Sequence, residues 1–261
     1  MAFALLMPLF GVLQPWSPAI PVGSSPHPQE GQDRHLPSDP QFPTADDQEE
    51  QGRASDRLEQ APPEVLALLQ QVLEQVPEAG VGVEPTQFDH WASSGHPTQA
   101  VLGIKAVPGL DPEDLIRRVM DVDGYEGRIP HVVSSRSRSV PATDPPEEID
   151  VYQRIQIPGI VQVQHELRLV DAGTIKGYRV AYWSLLPEET AALDRRSGAR
   201  SAFNVGVWLA APGVVGYAFQ SWPTREDVNA VQWFSMTTGA AVAAQRIVEG
   251  NIDAMAEWAR Q

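Results

Sequence analysis

Six histidines and no cysteine supply the soft ligands and nucleophiles of this 261-residue chain. His27 and His35 sit in a polar, proline-rich stretch. His90 and His96 are six apart around Trp91, with only Asp89 beside them. Nothing matches H-E-x-x-H, so these histidines read as surface or loop residues and no metal is expected. The lack of cysteine removes disulfides, thiolate nucleophiles and Cys-ligated metals together. Gly80-Val81-Gly82 is too short for a phosphate loop and precedes no helix, and a G-x-S-x-G elbow is absent, which argues against a serine hydrolase. No cofactor is implied.

His165 is different. It lies in V-Q-V-Q-H-E-L-R-L (161–169), where alternation places it on one inward face with Val163 and Leu167. Gln153 falls inward on the preceding strand. A buried imidazole or amide must find a hydrogen-bond partner. That partner is a ligand hydroxyl or carbonyl in a cavity, or else the two bond each other, a backbone group or water. As a general acid or base, His165 needs a second positioned group, and Tyr152 and Tyr182 are the candidates. Seven aromatics, Tyr182, Trp183, Phe203, Trp208, Trp222, Trp233 and Phe234, crowd the same region. They line a pocket or pack an ordinary core. Arg195, Arg196 and Arg200 read as a solvated loop, with a cavity mouth as the alternative, and Arg136 and Arg138 point to water.

These side chains need strands to position them. I-D-V-Y-Q-R-I-Q-I (149–157) and residues 161–169 alternate with period two, joined by a turn at Pro158-Gly159. Lys176–Leu185, Ala202–Leu209 and Val214–Trp222 continue the pattern, with Phe203, Val205 and Val207 aligned on one face. Such alternation predicts antiparallel strands with one buried side. Gln99–Val107 is an earlier strand. Asp111-Pro112-Glu113-Asp114 opens a helix through Leu115, Ile116, Val119 and Met120: an Asp cap, Pro in the first turn and acids near the positive end of the dipole. Thr237–Arg260 carries apolar or small residues at Ala241, Ala244, Val248, Ile252, Met255 and Ala259, one stripe of a long helix capped by Thr237 or Thr238. A one-sided helix after a run of strands predicts a helix closing over a curved sheet. Small residues in its first turns, Ala240 and Ala244 with Val248 beyond them, would face a cavity.

Composition sets the limits. Hydrophobic content of 42% supports a sizeable core, and a formal charge of −15 argues against nucleic acid, which needs Lys and Arg to displace counterions. It also argues against tight docking on an anionic membrane. Residues 3–13, A-F-A-L-L-M-P-L-F-G-V, are fewer than the roughly 20 needed to cross a bilayer, so no transmembrane segment is expected there. They have the length of a signal-peptide core, but lack a preceding Lys or Arg and contain Pro8. Export and retention are equally open. Residues 23–62 are rich in Pro, Gln, Ser, Asp and Glu and read as a disordered acidic linker. Residues 63–97 form an N-terminal helix and extension: Val65, Leu68, Leu69, Val72 and Val76 share a face, and Phe88 and Trp91 anchor the extension to the main body.

The stretch V-L-G-I-K-A-V-P-G-L-D-P-E-D-L-I-R-R-V-M-D-V-D-G-Y-E-G-R-I-P-H-V-V (101–133) resembles the opening of START-like domains in the SRPBCC, or birch-pollen-allergen-like, superfamily. The matching residues are the Pro and acids after the first strand, then Asp121, Tyr125, Pro130 and Val132. The chain has Gly127-Arg128 where the family more commonly carries Trp. With the closing helix, the resemblance covers about residues 98–260, making 98–261 the START-like domain. It implies an α+β helix-grip fold: a curved antiparallel sheet of about seven strands wrapped around a long C-terminal helix, with an apolar cavity between.

That reading predicts binding or carriage of a hydrophobic small molecule, such as a lipid, sterol, quinone or polyketide-like compound, by a monomer without catalytic residues. The cavity-lining candidates are Gln153, Val163, His165 and Leu167 in the central hairpin, Tyr182, Phe203, Val205 and Val207 in the next strands, and Ala240, Ala244 and Val248 in the helix. The alternatives are a polyketide cyclase or aromatase using the same cavity, and a non-catalytic interaction module.

Overall fold

The computed structural model describes residues 57–79, 81, 86–93, 95–138, 143, 145–157, 159–238 and 240–261, and leaves aside the side chains of 238 and 240–242. The expected leader and most of the expected acidic linker lie outside the described residues.

Packing begins before the first long helix. Arg57 donates to the Asp171 carbonyl at 2.7 Å and pairs with Glu147, and Ala61 is buried. Composition assigns these residues to the end of the linker, but a guanidinium contact and a buried Ala tie them to the body. Helix α1 (Pro63–Gln75) starts on Pro63, whose missing N–H costs nothing in a first turn. It buries the expected face, Val65, Leu68, Leu69 and Val72.

Strands β1 (Gln87–Ala92) and β2 (Gln99–Ala106) form an antiparallel pair. Helix α2 (Pro112–Met120) starts as its sequence dictates, with the Asp111 carboxylate accepting from the Glu113 N–H at 2.9 Å. Then come β3 (Val132–Ser137), β4 (Glu148–Ile157), β5 (Val161–Ile175), β6 (Tyr178–Leu185), the short α3 (Pro187–Ala191), β7 (Ala199–Ala211) and β8 (Val214–Pro223). Helices α4 (Ala230–Thr238) and α5 (Ala240–Ala259) close the fold. The strands make one eight-stranded sheet in the order β1-β2-β8-β7-β6-β5-β4-β3. Four consecutive antiparallel pairings run from β4 to β8, and β2 then joins the last strand, β8.

The eighth strand is β1, which the sequence marks only as a segment with two anchors. Its pattern Q-F-D-H-W-A lies on an edge, where burial is partial and alternation weak. Near its start β5 outruns β6. There β7 touches β5 in a short parallel pairing, and α3 substitutes for the ladder through Thr190 Oγ1, which accepts from the Glu166 N–H at 3.0 Å.

Both faces of the sheet are buried, which one-sided alternation did not predict. On the concave face Ile149, Val151, Leu167, Leu169, Trp183 and Trp208 pack with α2 and α5. On the convex face Leu102, Ile104, Val170, Val180, Tyr182, Val205 and Val207 pack beneath α1.

Helix α5 buries Ala244, Val248, Ile252, Met255 and Ala259, the predicted stripe apart from Ala241, whose side chain lies outside what is described. Its beginning differs. Thr237 belongs to α4, and its hydroxyl donates to the Trp233 carbonyl at 2.9 Å instead of capping α5. The cap lies upstream, where Asn229 and Gln232 bond each other's backbone N–H reciprocally, opening α4. Gly103 sets how closely α5 approaches the sheet: a Cβ there would lie 2.1 Å from Val248 Cγ1.

Candidate functional site

A cavity of about 150 Å³ lies between the concave face and the closing helices. That is room for roughly five waters at about 30 Å³ each. Val151 and Ile155 of β4, Val163 and Leu167 of β5, and Trp183 of β6 make the sheet wall. Met255 and Asn251 of α5 and Met236 of α4 form the opposite wall, and Tyr125, Ile129 and Pro130 close one side. His131, Gln156, Ile157, Met236 and Ile247 are its less buried members and mark where it meets solvent. Among the described residues the lining contains no Asp, Glu, Lys or Arg.

The polar atoms of the wall form short chains. Trp183 Nε1 donates to Asn204 Oδ1 at 2.9 Å, and Asn204 Nδ2 lies 3.3 Å from His165 Nδ1. Ser201 Oγ lies 3.0 Å from the same nitrogen. An indole N–H can only donate, which fixes the Asn204 carbonyl toward it and turns the amide N–H groups to the histidine. His165 must therefore present a lone pair to it, from Nδ1 at 3.3 Å or Nε2 at 3.5 Å. Burial lowers this imidazole's pKa to about 3, so the ring is neutral at physiological pH. Gln153 is the cross-strand neighbour of His165, yet its Nε2 donates to Ser135 Oγ at 3.3 Å.

Gly206 makes the indole's place. A Cβ there would fall 2.0 Å from Trp183 Cζ2, so only glycine lets the ring lie across β7. Trp183 stacks on Tyr217 with ring centroids 5.7 Å apart. The Tyr217 hydroxyl bonds the Asn251 side chain, and Tyr125 donates its hydroxyl to the Val119 carbonyl. Burial pushes both phenols well above their ordinary pKa, so both remain O–H groups.

Of the residues singled out from sequence, Gln153, Val163, His165 and Leu167 line the cavity. Tyr182, Val205 and Val207 instead belong to the convex core under α1, and the Tyr182 hydroxyl reaches the Arg57 carbonyl at 3.4 Å. Phe203 also lies on that side, stacked on Trp222 at 4.2 Å. The physical reason is parity. With both faces apolar, period-two spacing groups the residues of β7 but does not tell which group faces inward. Ala244 and Val248 are buried in the concave core without lining the cavity. Ala240 opens α5, and its side chain lies outside what is described.

Sequence reasoning missed Asn204, Tyr217, Ser221 and Asn251. A signal existed for the first: in A-F-N-V-G-V-W, the face carrying Asn204, Gly206 and Trp208 is the chemically unusual one. The arginines near the loop are structural. Arg200 holds the Asp227 carboxylate at 2.7 Å, with Arg195 at 3.1 Å, and Arg138 pairs with the buried Glu166 on the convex side. Among the described residues, no group of three His, Cys, Asp or Glu is placed to hold a metal ion, and no helix is long and apolar enough to cross a membrane.

This architecture is the START-like helix-grip fold. The chain is similar to a STAR-related lipid transfer protein fragment from Xanthomonas axonopodis, at TM-score 0.55 and 16% identity, covering 70% of this chain and 98% of that one. Human STARD10 aligns at TM-score 0.54 and 8% identity, covering 77% and 81%. The Zhui aromatase/cyclase from a Streptomyces species aligns at TM-score 0.40 and 14% identity over 67% and 94%, too loosely to argue from. No family model matches the sequence, and no curated protein matches it.

Proposed function

We propose that the chain binds or carries a hydrophobic small molecule in the concave cavity. The carrying observation is the cavity itself: apolar walls, a small polar cluster already bonded within the wall, and a solvent-facing side for entry. Each 100 Å² of apolar ligand surface taken from water contributes about 2.5 kcal/mol at roughly 25 cal/mol per Å². The fold likeness to a protein described as lipid transfer supports the same reading. The space favours a compact ring system or one end of a longer chain as the buried portion.

A cyclase or aromatase is less well supported. A general base works best with a pKa near the operating pH, whereas His165 sits near 3 and its partners are an amide and a hydroxyl. The test is native mass spectrometry of the full-length protein from its own host, before and after organic extraction, with Nile red titration of the extracted protein. A co-purifying hydrophobe and saturable dye binding are expected. Absence of both overturns the reading.

A further inference from the structure

The cavity's polar atoms describe its occupant further, on the reading that it binds a hydrophobe at all. Asn251 is 8% exposed, lines the cavity, and its Oδ1 has no hydrogen-bond partner. Its contact with the Tyr217 hydroxyl therefore runs through Nδ2, which donates. An unpaired amide carbonyl in an apolar wall loses its hydration without compensation, a cost that a bound donor removes. Across the cavity His165 is already engaged, with Ser201 Oγ 3.0 Å from Nδ1 and Asn204 Nδ2 within 3.5 Å of both ring nitrogens. The site thus presents an unpaired acceptor on α5 in a wall without charge. Among the described lining residues there is no cation to meet a carboxylate or phosphate, and no carboxylate to meet an amine.

From this juxtaposition we infer that the ligand is an uncharged hydrophobe bearing a hydroxyl group, and that Asn251 Oδ1 accepts that hydroxyl's proton in a hydrogen bond. An ether or ester of the same skeleton leaves Asn251 unpaired. A carboxylate brings an unbalanced charge into an apolar site, where isolated ions are strongly disfavoured.

The test uses the full chain, stripped of bound material, and four rigid probes sized to the cavity: naphthalene, 2-methoxynaphthalene, 2-naphthol and 2-naphthoate. Dissociation constants are measured by fluorescence at neutral pH. Naphthol is expected to bind about tenfold tighter than methoxynaphthalene, the worth of one good hydrogen bond, and naphthoate at least as much more weakly. In Asn251→Leu, the naphthol preference disappears while naphthalene binding persists. That variant removes an unsatisfied carbonyl, and its thermal melt verifies folding. Asn251→Ala, which removes the carbonyl without adding bulk, serves if the Leu variant does not fold. Equal binding of naphthol and methoxynaphthalene overturns the hydroxyl inference but leaves hydrophobe binding intact. Naphthoate binding as tightly as naphthol overturns the neutrality of the site. A preference retained in Asn251→Leu overturns the role of Asn251. Failure of all four probes, naphthalene included, sinks the underlying reading instead.

Discussion

Gly103→Ala tests the grip of the final helix on the sheet. The added Cβ would sit 2.1 Å from Val248 Cγ1 and 3.3 Å from Ile252 Cδ1. The first distance is more than an ångström short of ordinary contact. Val248 and Ile252 are both fully buried, so neither has free space to move into. Overpacking of this kind costs about 1–3 kcal/mol, a fall of about 2–4 °C in Tm per kcal/mol for a domain of this size. Val248→Ala alone costs about 2 kcal/mol from lost burial and the cavity it leaves. In the double variant, the methyl added at position 103 occupies space that the valine side chain vacated, so the combined cost falls below the sum by about 1 kcal/mol or more. Urea melts followed by tryptophan fluorescence give the four stabilities of the cycle. If Gly103→Ala is neutral, or the two changes add to within about 0.5 kcal/mol, α5 does not rest on β2 as described.

Three further outcomes derive from the site and its supports. His165 is held neutral in the fold, with its pKa lowered from 6.5 to about 3. The unfolded chain therefore takes up the proton first, and stability falls as pH drops below about 6.5. Between pH 7 and pH 5 the native protein should lose about 2 kcal/mol that His165→Gln does not lose, at about 1.4 kcal/mol per pH unit, as read from urea midpoints. Asn204→Leu leaves the Trp183 N–H without its acceptor and His165 without its donor; a loss of about 1–3 kcal/mol is expected, with a shift in tryptophan emission. Burial of Asp227 opposes its ionisation, but hydrogen bonds from Arg200 outweigh that and hold its pKa below the ordinary value. Arg200→Met should cost about 2 kcal/mol, below the range for a fully buried pair because the guanidinium keeps some contact with water. That cost should vanish as Asp227 protonates in acid, a difference that paired melts across pH would reveal.

The closing helix, the α2 start and the central hairpin were legible because each has a local cause. Asp111 caps where it stands, Pro63 begins a helix, and the stripe from Ala244 to Ala259 needs only helical spacing. What failed was information held by other parts of the chain. Alternation in β7 grouped Phe203, Val205 and Val207 correctly, but only α1, far earlier in the chain, makes that group's face dry. The break between α4 and α5 had no strong marker either, since Thr237-Thr238-Gly239 is compatible with a cap or a helix end. Half of the polar site was invisible for the same reason. Asn251 has the sequence setting of a surface residue on a helix, and only the placement of Tyr217 on β8 turns its amide into part of a wall.

Helix α1 also bears on where this domain begins. Leu102, Ile104, Val205 and Val207 depend on it for cover, and Arg57 ties the segment before it to the loop ahead of β4 and to the β5 bulge. A chain started at residue 98, where the family resemblance begins, would expose an apolar slab on the back of a sheet that still has all its strands but the edge. Such a fragment would retain its pocket and lose its solubility. A piece that stays in solution is therefore expected to reach back to about residue 57, and the helix ahead of the resemblance is the sheet's second layer.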